Sequence, residues 1–257
     1  MSNIPDISVI MPVYNGGLYL KEAINSILSQ SFKNFELIIL NDASTDNSEE
    51  VIVSFSDKRI HYVKNESNVG LIKTLNKGLS LAQGKFIARM DQDDISLPNR
   101  FQKQINFLNH HPEINVVSSK LIFIDEKGND KDYWNDDYET TTIDEIKNYM
   151  PKLNCIGHPT VMVRAETMKY FGYNKLLEYS EDWGLWLTLL SNGYVIANFS
   201  PWISIPISIP TILTGFCKVR NAFKSGGRDF SGIFSTAFDI LAERAFGEAK
   251  RKKKDAN

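Results

Sequence analysis

The chain has 257 residues, of which 42% are hydrophobic and 23% charged, and its formal net charge is -2. This composition excludes global disorder, leaves room for one large α/β domain or two small ones, and excludes a nucleic-acid surface spread over the whole chain. Cys155 and Cys217 stand far apart, without the His/Cys spacing of a zinc site or a disulfide framework. That pattern points to a reducing, cytoplasmic setting, and Met1 to Asp6 lack the basic and apolar stretches of a signal peptide.

Ile7 to Met11 is an apolar, β-branched run that reads as a strand stopped by Pro12. After Asn15-Gly16-Gly17 the apolar positions Leu20, Ala23, Ile24, Ile27 and Leu28 adopt helical spacing. Phe35 to Leu40 reads as a second buried strand, Asn41 to Asp46 as a polar turn, and Ser48 to Phe55 as a helix. A third strand, Ile60 to Val63, leads through Asn65 to Gly70 into a helix over Leu71 to Leu81, and Gly84 introduces a fourth strand over Phe86 to Met90. Such alternation implies a parallel sheet. Farther on, Asn99 to Asn109 has helical spacing, and Val116 to Ile124 reads as a strand turning at Lys127-Gly128-Asn129. Asp130 to Thr142, polar and acidic with Tyr133, Trp134 and Tyr138, reads as an exposed loop, either a cover for a site or a plain surface insertion. Thr160 to Arg164 is a further strand and Asp182 to Leu190 a helix opened by Ser180-Glu181.

In open parallel sheets, ligands bind outside the carboxyl ends of the strands. Here those ends carry Tyr14 and Asn15, then Asp42 with Ser44 and Asp46, then Asn68, then Asp91 and Asp93. Four decorated ends argue for one shared ligand site. Asp91 and Asp93, one residue apart, suit a hard divalent cation shared with a phosphate, although a solvated acidic turn has the same composition.

Ile10-Met11-Pro12-Val13-Tyr14-Asn15, Asn41-Asp42-Ala43-Ser44-Thr45-Asp46, Asn68-Val69-Gly70, Asp91-Gln92-Asp93-Asp94 and Glu181-Asp182-Trp183 resemble, in order and spacing, the motifs of family 2 glycosyltransferases. The resemblance covers roughly residues 5 to 200. It implies a GT-A, Rossmann-like α/β fold, a mostly parallel sheet flanked by helices, as a domain over residues 1–200, followed by a helical appendage over 201–257. It also implies an inverting, nucleotide-sugar-dependent transferase, with Pro12, Val13, Tyr14, Asn15, Asp42, Asn68, Gly70 and Asp91 holding the nucleoside diphosphate sugar. Asp93, with Asp91, would hold Mg2+ or Mn2+. Asp182 would be the base, its helix-start position favouring the ionised form. Glu181, Trp183 and His158 would line the acceptor side, the acceptor being a glycan or lipid-linked glycan of a surface polysaccharide or lipopolysaccharide.

Each group also has a plain structural reading: Tyr14 as a packing aromatic, Asp42 as a helix cap, Glu181 and Asp182 as neutralisers of a helix start, and His158 as a satisfied structural residue. The chain departs from the family pattern at Gly184 and Thr188, where an acid and an arginine are common, and Pro201 to Pro210 shows no Tyr-Arg or later His. Ile203 to Phe216 is apolar but too short to span a bilayer. Phe230, Ile233, Phe234, Ala237, Phe238, Leu241 and Ala245 share one helical face ahead of Lys250-Arg251-Lys252-Lys253-Lys254. Residues 203–254 thus suit peripheral contact with an anionic membrane, a homodimer face, or packing on the chain's own domain. Two other functions fit the same acids: a sugar nucleotidyltransferase, against which residues 12–17 contain no Lys or Arg, and a non-catalytic nucleotide-sugar-binding subunit.

Overall fold

The computed structural model describes residues 4–124, 130–133, 142–199 and 205–208. Strands β1 (Ile7–Val13), β2 (Phe35–Asn41), β3 (Ile60–Lys64) and β4 (Phe86–Arg89) alternate with helices α1 (Leu20–Leu28), α2 (Ser48–Val53) and α3 (Leu71–Leu81). There follow α4 (Arg100–His110), β5 (Val116–Ser119), β6 (Leu121–Ile124), β7 (Asp130–Tyr133), α5 (Ile143–Tyr149), β8 (Met162–Arg164), α6 (Ala165–Phe171), α7 (Glu181–Ser191), β9 (Ile196–Phe199) and β10 (Ile205–Ser208). The large sheet has the order β3-β2-β1-β4-β8-β5-β9, and β10-β6-β7 form a small second sheet.

The seven residues of β1 are all buried, because both faces of this central strand are covered. Ile7, Val9, Met11 and Val13 pack with α1 and α4 on one face. Ile10 turns to the other face, with Ile38, Leu40, Leu75, Leu79 and residues of α7. β1 pairs in parallel with β2 and β4, so the chain runs outward in opposite directions from the β1–β4 boundary, and the loops after these two strands diverge there. That is the crevice where open α/β sheets take ligands.

Several expectations need correction. Pro12 does not stop β1, which continues to Val13 with Pro12 opposite Leu40. The β1–β4 pairing has already ended at Ile10–Arg89, so no ladder bond is asked of the missing N–H. Val116 to Ile124 is two strands in two sheets: Ser119 N donates to the Thr160 hydroxyl (3.1 Å), and the chain departs at Lys120. β8 is antiparallel to both neighbours, and Thr160 belongs to a single 3-10 turn over His158–Thr160 that precedes it. Asp130–Tyr133, expected as loop, pairs with β6, whose backbone edge accepts a polar strand. Residues Ile205–Ser208 are a strand parallel to β6, not a helix. The remainder of the expected appendage, including the amphipathic face and basic run, lies outside the described residues, as do Trp134 and Tyr138. α5 was missed although its start is signalled by a capping box between Thr142 and Glu145; α6 and β9 were also missed.

Candidate active site

The loop after β1 is stitched to the loop after β2. Asn15, at φ 51°, donates its N–H to Ser44 Oγ (3.0 Å) and accepts from Thr45 N (2.8 Å). Gly16 N donates to Ser48 Oγ (3.0 Å) and Gly17 N to Asp46 Oδ2 (2.9 Å). The sharp turn after β2 places Ala43 at φ 58°. Tyr14 keeps 48% of its surface exposed, so its ring is offered outward and not packed as a core aromatic. Pro12 and Val13 end the strand beneath it.

Asp42 does not cap α2, whose N-cap is Asn47. Its buried carboxylate accepts from Asn65 Nδ2 (2.7 Å), Val69 N (3.0 Å) and Gly70 N (2.9 Å). Three donors on about four acceptor positions make Asp42 the anchor of the 65–70 loop, with one position left for a ligand. Gly70 has φ 88°, which a side chain would strain, and Asn68 Oδ1 also accepts its N–H (3.1 Å).

At the end of β4, the guanidinium of Arg89 is buried and donates to Asp91 Oδ1 (2.5 Å) and to the Met90 carbonyl. Arg100, fully buried on α4, donates to the carbonyls of Arg89 (2.9 Å) and Val161 (3.1 Å) and to Gln104 Oε1 (3.1 Å). Asp94 is 1% exposed and neither of its oxygens has a hydrogen-bond partner. Loss of hydration, then the charges of Asp91 and Asp93, push its pKa well up, against the pull of Arg89 and Arg100. Asp94 is thus a buried group behind the site, while Asp91 and Asp93 remain partly exposed. Among the described residues no three His, Cys, Asp or Glu side chains converge as a ready metal cage. The donor set, Asp93 beside an Arg89-tied Asp91, fits an ion that takes most of its ligands from phosphate oxygens and water.

The start of α7 faces this strand end. Asp182 Oδ2 accepts from Asn154 Nδ2 (2.8 Å) and Oδ1 from the Trp183 N–H (2.7 Å). Loss of hydration nevertheless raises its pKa, with Asp91 adding to the rise, so the helix start does not make it a stronger acid as expected. Glu181 is pushed up to about 7 by loss of hydration and by Asp182, against the Arg89 charge. His158 Nε2 lies 2.7 Å from the Tyr173 hydroxyl, and burial with the Arg89 charge lowers its pKa well below the usual value. Neutral His158 therefore accepts from the phenol, whose own pKa is raised by burial. Trp183 spends its indole N–H on the Met150 carbonyl (2.8 Å). The fold thus gathers Asp91, Arg89, Glu181, Asp182, His158 and Tyr173, while Trp183 is turned into the protein.

Sequence reasoning missed Arg89, Gln92, Asn154 and Tyr173. A lone arginine inside an apolar strand was a legible signal for Arg89, because a buried charge demands a partner. Asn154 and Tyr173 carried no local signal.

Residues 8–171 match the family model for glycosyl transferase family 2. The chain belongs to this family. It is 37% identical over 195 residues to an uncharacterised glycosyltransferase of Methanocaldococcus jannaschii, covering 74% of this chain and 66% of that protein. EpsE of Bacillus subtilis, named as a glycosyltransferase, is 37% identical over 201 residues, which cover 76% of this chain and 70% of EpsE. S. aureus TarS in complex with UDP-GlcNAc aligns with a TM-score of 0.63 at 22% identity, over 79% of this chain and 58% of that one. The mannosyltransferase PcManGT from Pyrobaculum calidifontis, in complex with GDP-Man and Mn2+, aligns with a TM-score of 0.62 at 16% identity, over 93% of this chain and 70% of that one. The chain therefore has the GT-A fold expected from its motifs. Among the described residues, no helix is long and apolar enough to cross a membrane.

Proposed function

We propose that the chain transfers a sugar from a nucleoside diphosphate sugar to an acceptor hydroxyl with inversion at the anomeric carbon. The observation that carries this reading is the meeting of Glu181–Asp182 at the start of α7 with Arg89–Asp91 at the end of β4, across the crevice between the β1 and β4 loops. The nucleoside lies over Tyr14 and the loop that Asp42 anchors, with Pro12, Val13, Asn15, Asn68 and Gly70 beneath it and Asp91 toward the ribose. Asp93 and Asp91 would hold Mg2+ or Mn2+, which when bound would offset charge on the leaving diphosphate. The acceptor hydroxyl gives its proton to the Asp182 carboxylate as its oxygen bonds the anomeric carbon. The bond from that carbon to the diphosphate oxygen breaks on the opposite face, and the electron pair leaves with the nucleoside diphosphate. Glu181 and His158 line the acceptor side, and the acceptor class is a glycan or lipid-linked glycan of a surface polysaccharide or lipopolysaccharide. The donors carried by TarS and PcManGT support a nucleotide-sugar donor.

The test is nucleoside diphosphate release over a panel of UDP-, GDP- and dTDP-sugars with Mn2+ or Mg2+. Asp93→Ala should lose cation-dependent turnover, and Asp182→Asn should lose about 10^2 to 10^4 in rate while still binding donor. Donor binding without turnover under any acceptor would replace this reading with a non-catalytic subunit. A product with retained anomeric configuration would overturn the single displacement.

A further inference from the structure

Along β1, alternate residues present their backbone groups to β4: Ile10 O accepts from Met90 N (3.2 Å), whereas Val13 O accepts from Asp42 N (2.8 Å) on the β2 side. Tyr14 is the next residue due to face the β4 side, but the β1–β4 ladder has ended at Arg89. In place of a strand, the side chain of Gln92 completes the pairing: Tyr14 N donates to Gln92 Oε1 (2.8 Å) and Gln92 Nε2 donates to Tyr14 O (3.2 Å). The carboxamide turns its oxygen and one of its N–H groups to the same side and so meets both backbone groups of Tyr14 at once, a side chain taking the place that a paired strand would fill. Gln92 stands between Asp91 and Asp93, and Gly16 lies against it: a Cβ on Gly16 would come within 2.4 Å of Oε1, 2.5 Å of Cδ and 3.0 Å of Nε2 of Gln92.

We infer that Gln92 is a positioning residue whose carboxamide latches the backbone of the Tyr14 loop to the Asp91–Asp93 loop, and that Gly16 is the seat this latch requires. The inference rests on the proposed donor site, since it fixes the distance between the surface offered to the base and the carboxylates offered to the diphosphate. Neither residue touches the reacting atoms; both act by pre-forming the crevice before a donor arrives. Gly16 has no left-handed backbone, so an alanine there acts through Gln92 and not through strain.

The experiment compares wild type, Gln92→Ala, Gly16→Ala and the double variant in two arms. In the first, hydrogen exchange of the Tyr14 amide is followed without ligand. All three variants should exchange at least about tenfold faster than wild type, and the double variant no faster than either single one, because both substitutions remove the same contact. Unchanged Tyr14 protection in Gln92→Ala, or additive losses in the double variant, overturns the latch. In the second arm UDP, GDP and dTDP are titrated in with Mn2+. Whichever nucleotide wild type takes should bind roughly tenfold more weakly in each variant, with KM for the donor rising and kcat nearly kept. Equal affinities in all four proteins refute the coupling to donor binding. If wild type binds none of them, the donor reading falls, and the exchange arm still decides the latch.

Discussion

Glu181 makes the site's electrostatics measurable without any substrate. Its carboxyl is raised from an ordinary 4.5 to about 7, first by lost hydration and then by Asp182. Between those two values the unfolded chain has released this proton and the folded chain still holds it, so the folded state binds more protons and stability falls as pH rises. The loss is complete above about 7 and absent below 4.5. At 1.36 kcal/mol per pH unit the full effect is about 3 kcal/mol, and the solvent that still reaches the group trims it to about 2 kcal/mol. Glu181→Gln removes the ionisation. It should match wild type at about pH 5 and exceed it at about pH 8 by roughly 4 to 8 °C in Tm, using 2–4 °C per kcal/mol for a domain of this size. Scanning calorimetry of both proteins at the two pH values, in metal-free buffer, reads the difference. Asp182→Asn removes the second cause and should shrink the gap. Wild-type and Glu181→Gln curves that stay parallel across this range would refute the claim that burial and a like charge hold the proton on Glu181.

Ala43 sits at φ 58°, where a Cβ costs about 1 kcal/mol, so Ala43→Gly should raise Tm by a few degrees; an unchanged or lowered Tm counts against strain in this turn. Gly84→Ala would put a Cβ 2.5 Å from Ser8 N and 2.7 Å from the Ile7 carbonyl carbon, both backbone atoms that cannot swing aside. A loss of about 1–3 kcal/mol in urea unfolding is expected, and a variant of native stability would show that the β1–β4 start is not tightly packed. Arg100→Leu strips donors from the carbonyls of Arg89 and Val161 and leaves Asp94 facing fewer cations. It should destabilise by about 3 kcal/mol or more, and full stability would mean that Asp94 does not need this partner. The activity of the wild-type enzyme should rise with pH along an acid limb lying above the ordinary aspartate range, because the raised Asp182 must lose its proton to act as base. A limb at or below pH 4 would place Asp182 outside that role.

The alternation of apolar runs with polar strand ends was enough to put Asp42, Asp91 and Asp93 just past the carboxyl ends of parallel strands, because backbone periodicity and the parallel-sheet rule act over short stretches of chain. The same local signals misread what depends on neighbours. Whether Pro12 ends a strand was decided by where β4 stops, and the split at Lys120 by a hydrogen bond that Ser119 N donates to Thr160, 41 residues away in sequence. The departure at Gly184 is likewise legible only in space: a Cβ there would meet Leu177 Cδ1 at 2.1 Å, so the glycine seats the loop that leads into α7.

By itself the sequence determined the elements from β1 to α4, the order of the motifs and the residue types available for the chemistry, since each depends on spacing along one stretch of backbone. Tertiary structure alone decided which acids lose their water. Glu181 and Asp182 head a helix, a position that favours ionised carboxylates, yet packing α7 toward the end of β4 removes hydration and brings Asp91 near. Desolvation outweighs the helix dipole once a carboxylate is buried, and burial is a property of the assembled fold.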